Sequence, residues 1–309
     1  MKGSLSFFRQ RPEEVKPAKL YGFIKAYRNR WSVKEMCKVL SISESGYYRH
    51  LQPSKGSGRR EHLLVEIKEI LGEHLDNHNY GINRIYLALQ QRGEKTSYAT
   101  VYRIMRENNL LKKAKRHPNG ITREDAAAQK AENLIQQDFT AKAPNEKWLT
   151  DITEVPCYDG KLYIVPILDC FDGKIVGLAM DDNMRKELCI QAFESACRHT
   201  GARSMILHSD RGSQFTSGDF RDILSKYQAH QSMSGTGRCY DNARMESFFA
   251  TLKKEKLYQI NTRLLSIRQV KTIVFRYIFI YYNQQRVYSS NPGGYPPDYF
   301  RKIHFQNAA

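Results

Sequence analysis

The stretch Leu162 to Phe171 is almost entirely apolar. It reads as a strand buried on both sides, which demands packed layers above and below a sheet. Pro166 within it is awkward, because proline cannot donate to a central ladder; a bulge or an edge position would reconcile it. Before it, Leu149, Asp151, Thr153 and Val155 alternate as one face of a strand. After it, Asp172-Gly173 signals a hairpin turn and Lys174 to Met180 the returning strand. Arg185 to His199 predicts a helix. Met205 to Leu207 predicts a short strand ending in His208-Ser209-Asp210, and Thr216 to Tyr227 another helix.

Three antiparallel strands followed by alternating helices and strands is the order of a ribonuclease H-like α/β mixed sheet. The first 120 residues look different. They hold 24 Lys/Arg against 11 Asp/Glu, a net +13, while residues 121–309 hold 25 against 21. The whole chain of 309 residues carries +17, which implies affinity for a polyanion, with nucleic acid favoured over a membrane surface. Val33, Met36, Cys37 and Leu40 recur at helical spacing. Ser43 can cap a following helix that carries Tyr47, Tyr48, Arg49 and His50. This helix-turn-helix outline suits DNA reading and plain three-helix packing alike. Pro53 to Gly58 reads as a linker. A second module has helices marked by Leu63, Ile67 and Ile70, then Ile82, Ile85 and Leu89, then Val101, Ile104 and Met105 after a Ser97 cap. Arg103 and Arg106 decorate the polar face of the last helix. Lys112, Lys113, Lys115 and Arg116 follow it, suited either to the helix dipole or to phosphate contacts. His117 to Gly120 breaks structure, and Glu124 to Ile135 reads as a helix within a connector. The expected division is 1–55 (helix-turn-helix-like module), 60–116 (second helical module, suited to DNA binding), 117–143 (connector), 144–262 (mixed-sheet core) and 263–309 (helical tail).

Several classes are excluded. The six cysteines, Cys37, Cys157, Cys170, Cys189, Cys197 and Cys239, form no C-x-x-C pair, so zinc ribbons and redox pairs drop out and buried thiols are expected. His74 and His78 stand four apart, a metal spacing with no partner cysteines nearby. No run reaches the ~18 apolar residues of a membrane span; Ile273 to Tyr282 is short and carries Arg276. The amino terminus lacks the apolar core of a secretory signal. A cytoplasmic, nucleoid-associated location and no membrane partner are expected.

Three acids stand out. Asp210 sits where a strand ends and Gly212 turns the chain. Asp151 shares a face with Leu149 and Val155, and a carboxylate there must be paired or bind a cation. Glu246 lies on the margin of the apolar stripe Met245, Phe248, Phe249 and Leu252 of a helix spanning Tyr240 to Lys256, with Asn242 and Lys253 on its face. Taken singly, Asp210 reads as a turn residue and Glu246 as a solvated one. Taken together, they form a set of hard oxygen donors that suits two Mg²⁺ ions and phosphodiester chemistry.

Asp210 and Glu246 are separated by 35 residues, and this D-35-E spacing resembles retroviral integrases and related transposases. The words Trp148-Leu149-Thr150-Asp151, His208-Ser209-Asp210-Arg211-Gly212 and Ser232 to Ala243 followed by Glu246-Ser247-Phe248-Phe249 are similar to the integrase-type transposase subunit (OrfB) of a large bacterial insertion-sequence family encoded by two overlapping frames. The resemblance covers most of the chain. It implies a DDE transposase, a divalent-metal-dependent polynucleotidyl transferase for DNA recombination, acting on insertion-sequence ends. Asp151, Asp210 and Glu246 would hold two Mg²⁺, with Mn²⁺ as a substitute. Water would expose a 3′-OH, which would then attack another phosphodiester. Lys253 would contact DNA phosphate and Asn242 would orient Glu246 or substrate, each against a plain packing or solvent role. Implied partners are double-stranded DNA of the terminal repeats and target, a companion helix-turn-helix subunit or a frameshift fusion with it, and further copies assembled on DNA. Tyr282-Asn283 and Arg286 fit the family's tail, whereas Tyr288 stands where a His is expected. A DNA-binding regulator and a simple nuclease of the same fold are the competing readings.

Overall fold

The computed structural model describes residues 17–51, 57–112, 131–235 and 239–308. It divides into two compact units, Met1–Glu66 and Ile67–Ala309. In the first, α1 (Pro17–Tyr27), α2 (Val33–Val39) and α3 (Glu44–Leu51) pack around Ile24, Met36, Cys37 and Tyr47. Ser41 takes φ 53° between α2 and α3. The Ser43 hydroxyl then accepts the Gly46 amide at 3.0 Å, the cap expected for α3. Tyr47 is core, while Tyr48, Arg49 and His50 are exposed.

Helix α4 (Ser57–Gly72) runs across the boundary, so Ser57 and Gly58 open a helix rather than closing a linker. In the second unit, α5 (Ile82–Gln91) and α6 (Tyr98–Glu107) follow, with Ser97 capping α6 through the Thr100 amide. His74 caps a 3₁₀ turn, Leu75–Asn79, that contains His78, and His74 stacks on Tyr281 at 4.4 Å, a packing role.

The sheet comprises β1 (Lys147–Thr150), β2 (Thr153–Cys157), β3 (Gly160–Asp169), β4 (Ile175–Asp181), β5 (Ile206–Ser209) and β6 (His230–Met233). Its lateral order is β4-β3-β1-β5-β6, with β2 continuing the line of β1 along β3. The first strands are antiparallel, and β5 and β6 run parallel to β1. This is the expected mixed sheet of the ribonuclease H-like order. β3 is buried on both sides, as its apolar run requires.

The strand expected through Leu149–Val155 is broken. β1 and β2 hold one register against β3, and its continuation sets Asp151 opposite Pro166. Pro166 has no N–H to give, so the ladder lapses there. The proline therefore sits in a central strand, neither on an edge nor in a bulge; the register shift with β4 falls one residue later, between Ile167 and Leu168.

Helices α7 (Lys186–Thr200), α8 (Ser213–Thr216) and α9 (Gly218–Lys226) cover one face around Trp148, Phe193, Phe215 and Phe220. Gly177 allows this closeness, since a Cβ there would meet the Ala192 carbonyl at 2.6 Å. The helix expected over 216–227 is α9, which starts at Gly218 because Ser217 caps it by accepting the Phe220 amide; the short α8 before it was not expected. β6 was not apparent in the sequence: it is four residues long and three of them, His230, Gln231 and Ser232, are polar.

α10 (Ala243–Glu255) is preceded by a 3₁₀ turn at Cys239–Asn242, so the expected helical start at Tyr240 is a tighter turn. α11 (Ile267–Arg276) continues into a π-helical turn, Tyr277–Tyr282, that buries Tyr277, Ile278, Tyr281 and Tyr282. α12 (Pro297–Ala308) closes the chain. The expected helix Glu124–Ile135 lies outside the described residues up to 130, and 131–135 is irregular. Cys37, Cys157, Cys170, Cys189 and Cys197 are buried free thiols. Among the described residues, no helix is long and apolar enough to cross a membrane.

Candidate active site

β1 and β5 are adjacent parallel strands, pairing Lys147 with Ile206, Trp148 with Leu207 and Leu149 with His208. Carried two residues further, that register sets Asp151 level with Asp210. Neighbouring strands lie ~4.8 Å apart, so both carboxylates emerge side by side at the carboxyl ends of the central strands, where open α/β sheets bind ligands. Each is steadied by one local backbone bond. The Ile152 amide donates to Asp151 Oδ1 at 2.7 Å, and the Gly212 amide to Asp210 Oδ1 at 3.0 Å.

Glu246 projects from the first turns of α10 and is exposed. Its field, with that of Asp210, reaches Asp151, as does the opposing charge of Lys253. Burial and then the Asp210 charge push the Asp151 carboxyl up to about 7, with Glu246 adding to the rise and the Ile152 amide and Lys253 opposing it. Burial also raises Asp210, against the Gly212 hydrogen bond. Two half-buried carboxylates facing a third cannot all ionise cheaply without a cation.

Asn242 is buried at the head of α10. Its Nδ2 donates to the Thr150 carbonyl at 3.1 Å, one residue before Asp151, and its Oδ1 is buried without a hydrogen-bond partner. It thus ties the helix bearing Glu246 to the strand bearing Asp151.

A brace behind Asp210 was not apparent in the sequence. His208, wholly buried, contacts the Ser232 and Ser234 hydroxyls at 2.8 and 3.1 Å. Burial pushes its imidazole down to about 4. Arg211 Nε donates to the Ser234 carbonyl, and buried Asp241 accepts from the Gly235 amide, Asn133 and Gln137. The prior signals were that His208 and Arg211 fall inside the 208–212 word, and Ser232, Ser234 and Asp241 inside the 232–243 word.

Among the described residues, no three His, Cys, Asp or Glu side chains converge tightly enough to grip one ion. The donor set nevertheless fits a hard divalent cation. Mg²⁺ keeps several waters and takes only one or two carboxylates, which the Asp151–Asp210 pair supplies beside excess negative charge.

The other expected residues sit on other elements. Arg103 and Arg106 are exposed on α6, with Arg106 over the Tyr102 ring at 5.5 Å. Lys112 is exposed five residues past the end of α6, beyond the last turn where a helix dipole acts. Lys113, Lys115 and Arg116 lie outside the described residues. Tyr288 lies over Gly173 in the β3–β4 turn and meets Tyr282 edge-on at 6.0 Å. Arg286 is a buried structural cation, bound through Nε and Nη2 to Glu255 at 2.8 and 2.9 Å.

Residues 141–239 match the family model described as integrase core domain, residues 246–304 a second model of that description, and residues 59–118 one described as HTH-like domain. The transposase InsF for insertion sequence IS3A of Escherichia coli is 32% identical over 91% of this chain and 97% of its own length. The chain belongs to the IS3-type transposase family. The insertion element IS600 31 kDa protein of Shigella sonnei is 37% identical over 89% of this chain and all of its own length. The transposase for insertion sequence element IS904 of Lactococcus lactis is 36% identical over 81% and 98%. Among solved structures, the HTLV-2 integrase catalytic core in complex with magnesium aligns with 52% of this chain and 98% of that chain, at 20% identity and a TM-score of 0.40. The transposase is thus a DNA-acting polynucleotidyl transferase with an integrase core.

Proposed function

We propose that Asp151, Asp210 and Glu246 are the carboxylates at which this transposase cleaves the element end and transfers the resulting 3′-OH. The observation that carries the reading is the β1–β5 register, which brings Asp151 level with Asp210. The charges of Asp210, Glu246 and Lys253 all acting on Asp151 lend further support. The set suits two Mg²⁺, or Mn²⁺; when bound, the ions would supply positive charge to the attacking and leaving oxygens. Asp151 and Asp210 offer paired donors from the sheet, and Glu246 offers a third from α10. Asn242 holds that helix against β1, and Lys253 meets a DNA phosphate.

In the first step a water oxygen bonds to phosphorus as the P–O3′ bond breaks, leaving a 3′-OH that carries the proton. In the second, that 3′ oxygen bonds to the phosphorus of another strand, losing its proton to solvent as a new 3′ oxygen departs. No protein–DNA covalent bond is needed. Arg103, Arg106, Lys112, Lys113, Lys115 and Arg116 would contact phosphates of terminal-repeat DNA from the second helical module. The modules 1–55 and 60–116 would grip DNA, 117–143 would connect them to the core at 144–262, and 263–309 would support it. Two ends must meet, so copies assemble on DNA, with the companion helix-turn-helix subunit or a fusion to it, at the nucleoid.

The test is strand transfer on terminal-repeat DNA by Asp151→Asn, Asp210→Asn and Glu246→Gln. Each should lose cleavage and joining by more than ~10³-fold while binding DNA normally. Joining that survives in any of the three removes that residue from the centre.

A further inference from the structure

Around α10, Glu246 does not face the cavity that lies against the other side of the helix. Arg244, Ser247 and Thr251 line a cavity of about 710 Å³ completed by Arg84, Arg286 and Tyr288. At ~100° per residue, this stripe lies nearly opposite the Asn242, Glu246 and Lys253 stripe, one helix diameter of ~10–12 Å away.

The cavity is cationic. Arg84 and Arg286 share a single buried carboxylate, Glu255, so this trio keeps one positive charge. Arg244 is held by neutral groups: it donates to the Phe139 carbonyl at 2.9 Å and to the Cys170 carbonyl, and hydrogen-bonds Tyr288. Asp138 is the one carboxylate among the described lining residues, and it is tied to Lys147 at 2.8 Å. Three guanidiniums and several hydroxyls thus meet one buried acid in an open, polar space, which suits an anion. The strip of α10 between the cavity and the acids carries Ala243, Ala250 and exposed Lys254. Two small side chains and a cation let a nucleic-acid backbone cross the helix closely.

We propose that this cavity is a phosphate subsite that takes one phosphodiester of the DNA strand flanking the bond cut at the acids. Its link to that bond rests on the catalytic reading above, but occupancy by DNA does not. Arg244 also ties residue 139 to the β3–β4 turn, so its removal endangers the fold. Ser247→Asp instead adds a negative charge at the exposed rim, and Ser247→Asn controls for size.

The full chain is titrated with terminal-repeat duplex in EDTA over a range of salt concentrations. Ser247→Asp should bind about tenfold more weakly, with the slope of log Kd against log salt smaller by about one. Ser247→Asn should match the parent. An unchanged slope in Ser247→Asp overturns the proposal. If inorganic phosphate raises the Tm of the parent but not of Ser247→Asp while the DNA slope is unchanged, the cavity holds free phosphate and its assignment to DNA is overturned. No strand is cut in EDTA, so failure of the catalytic reading appears in strand transfer and not in this titration.

Discussion

At Asp151 a carboxyl that ordinarily titrates near 3.8 is held up to about 7 by burial and by Asp210. Below pH 4 it is protonated in folded and unfolded chains alike. Between 4 and 7 the unfolded chain releases a proton that the folded one keeps, so this stabilising contribution is lost as pH rises through 7. A divalent cation relieves the same repulsion, so added Mg²⁺ should raise Tm more at pH 8 than at pH 6; a gain as large at pH 6 would contradict the assignment. His208 has the opposite sign. Its imidazole is depressed to about 4, so its contribution is whole above pH 6.5 and lost as pH falls toward 4. At ~1.4 kcal/mol per unit the loss is about 3 kcal/mol. Urea midpoints at pH 7 and 4.5 should separate widely for the parent and less for His208→Gln. Asp210 and Glu246 were legible through their spacing and flanking words. The register that sets Asp151 level with Asp210 was not, because local sequence does not encode the pairing of parallel strands 59 residues apart. Arg286 stood out as part of a motif, yet its partner Glu255 lies 31 residues earlier and nothing local joins them.

Among the elements, α10 is fixed at both ends. Asn242 ties its head to β1, and Glu255 at its foot accepts from Arg286, Arg84 and Tyr277. Glu255→Gln leaves two guanidiniums without their acid, a loss of about 3–5 kcal/mol for a broken buried pair. Thermal melts should show it as a large fall in Tm. Asn242→Ala should instead lower kcat with KM nearly unchanged and Tm lowered only by the one buried hydrogen bond lost, about 1 kcal/mol; a fall in Tm as large as that of Glu255→Gln would make Asn242 merely structural. Buried β3 and its hairpin to β4 were readable because apolar runs and Asp-Gly turns act locally. The lapse at Asp151 was not, since it comes from Pro166 across the ladder. The four-residue α8 was likewise unreadable, since it is a single turn set off from α9 by the Ser217 cap.

For the whole molecule, the charge is unevenly divided along the chain, with +13 in the first 120 residues and a nearly balanced remainder. If the front grips phosphates, replacing Arg103, Arg106 and Lys112 together with Ala should weaken binding to all duplexes alike and cut the salt slope by about three. Weakening confined to terminal-repeat DNA would make them base-reading residues. The second helical module also buttresses the core, because Asp76 pairs with Lys256 and Arg84 with Glu255. The charge gradient was visible in the sequence, whereas this buttress, built from contacts about 170 residues apart, was not.

In the proposed mechanism, the acids level with one another on β1 and β5 hold the metal for strand transfer. The most direct measurement is Mn²⁺ binding by electron paramagnetic resonance, on the full chain with terminal-repeat DNA, for the parent and Asp210→Asn. The account predicts two tightly bound ions per active chain in the parent and loss of at least one in the variant, in step with loss of joined product. Equal Mn²⁺ binding by both proteins would contradict it.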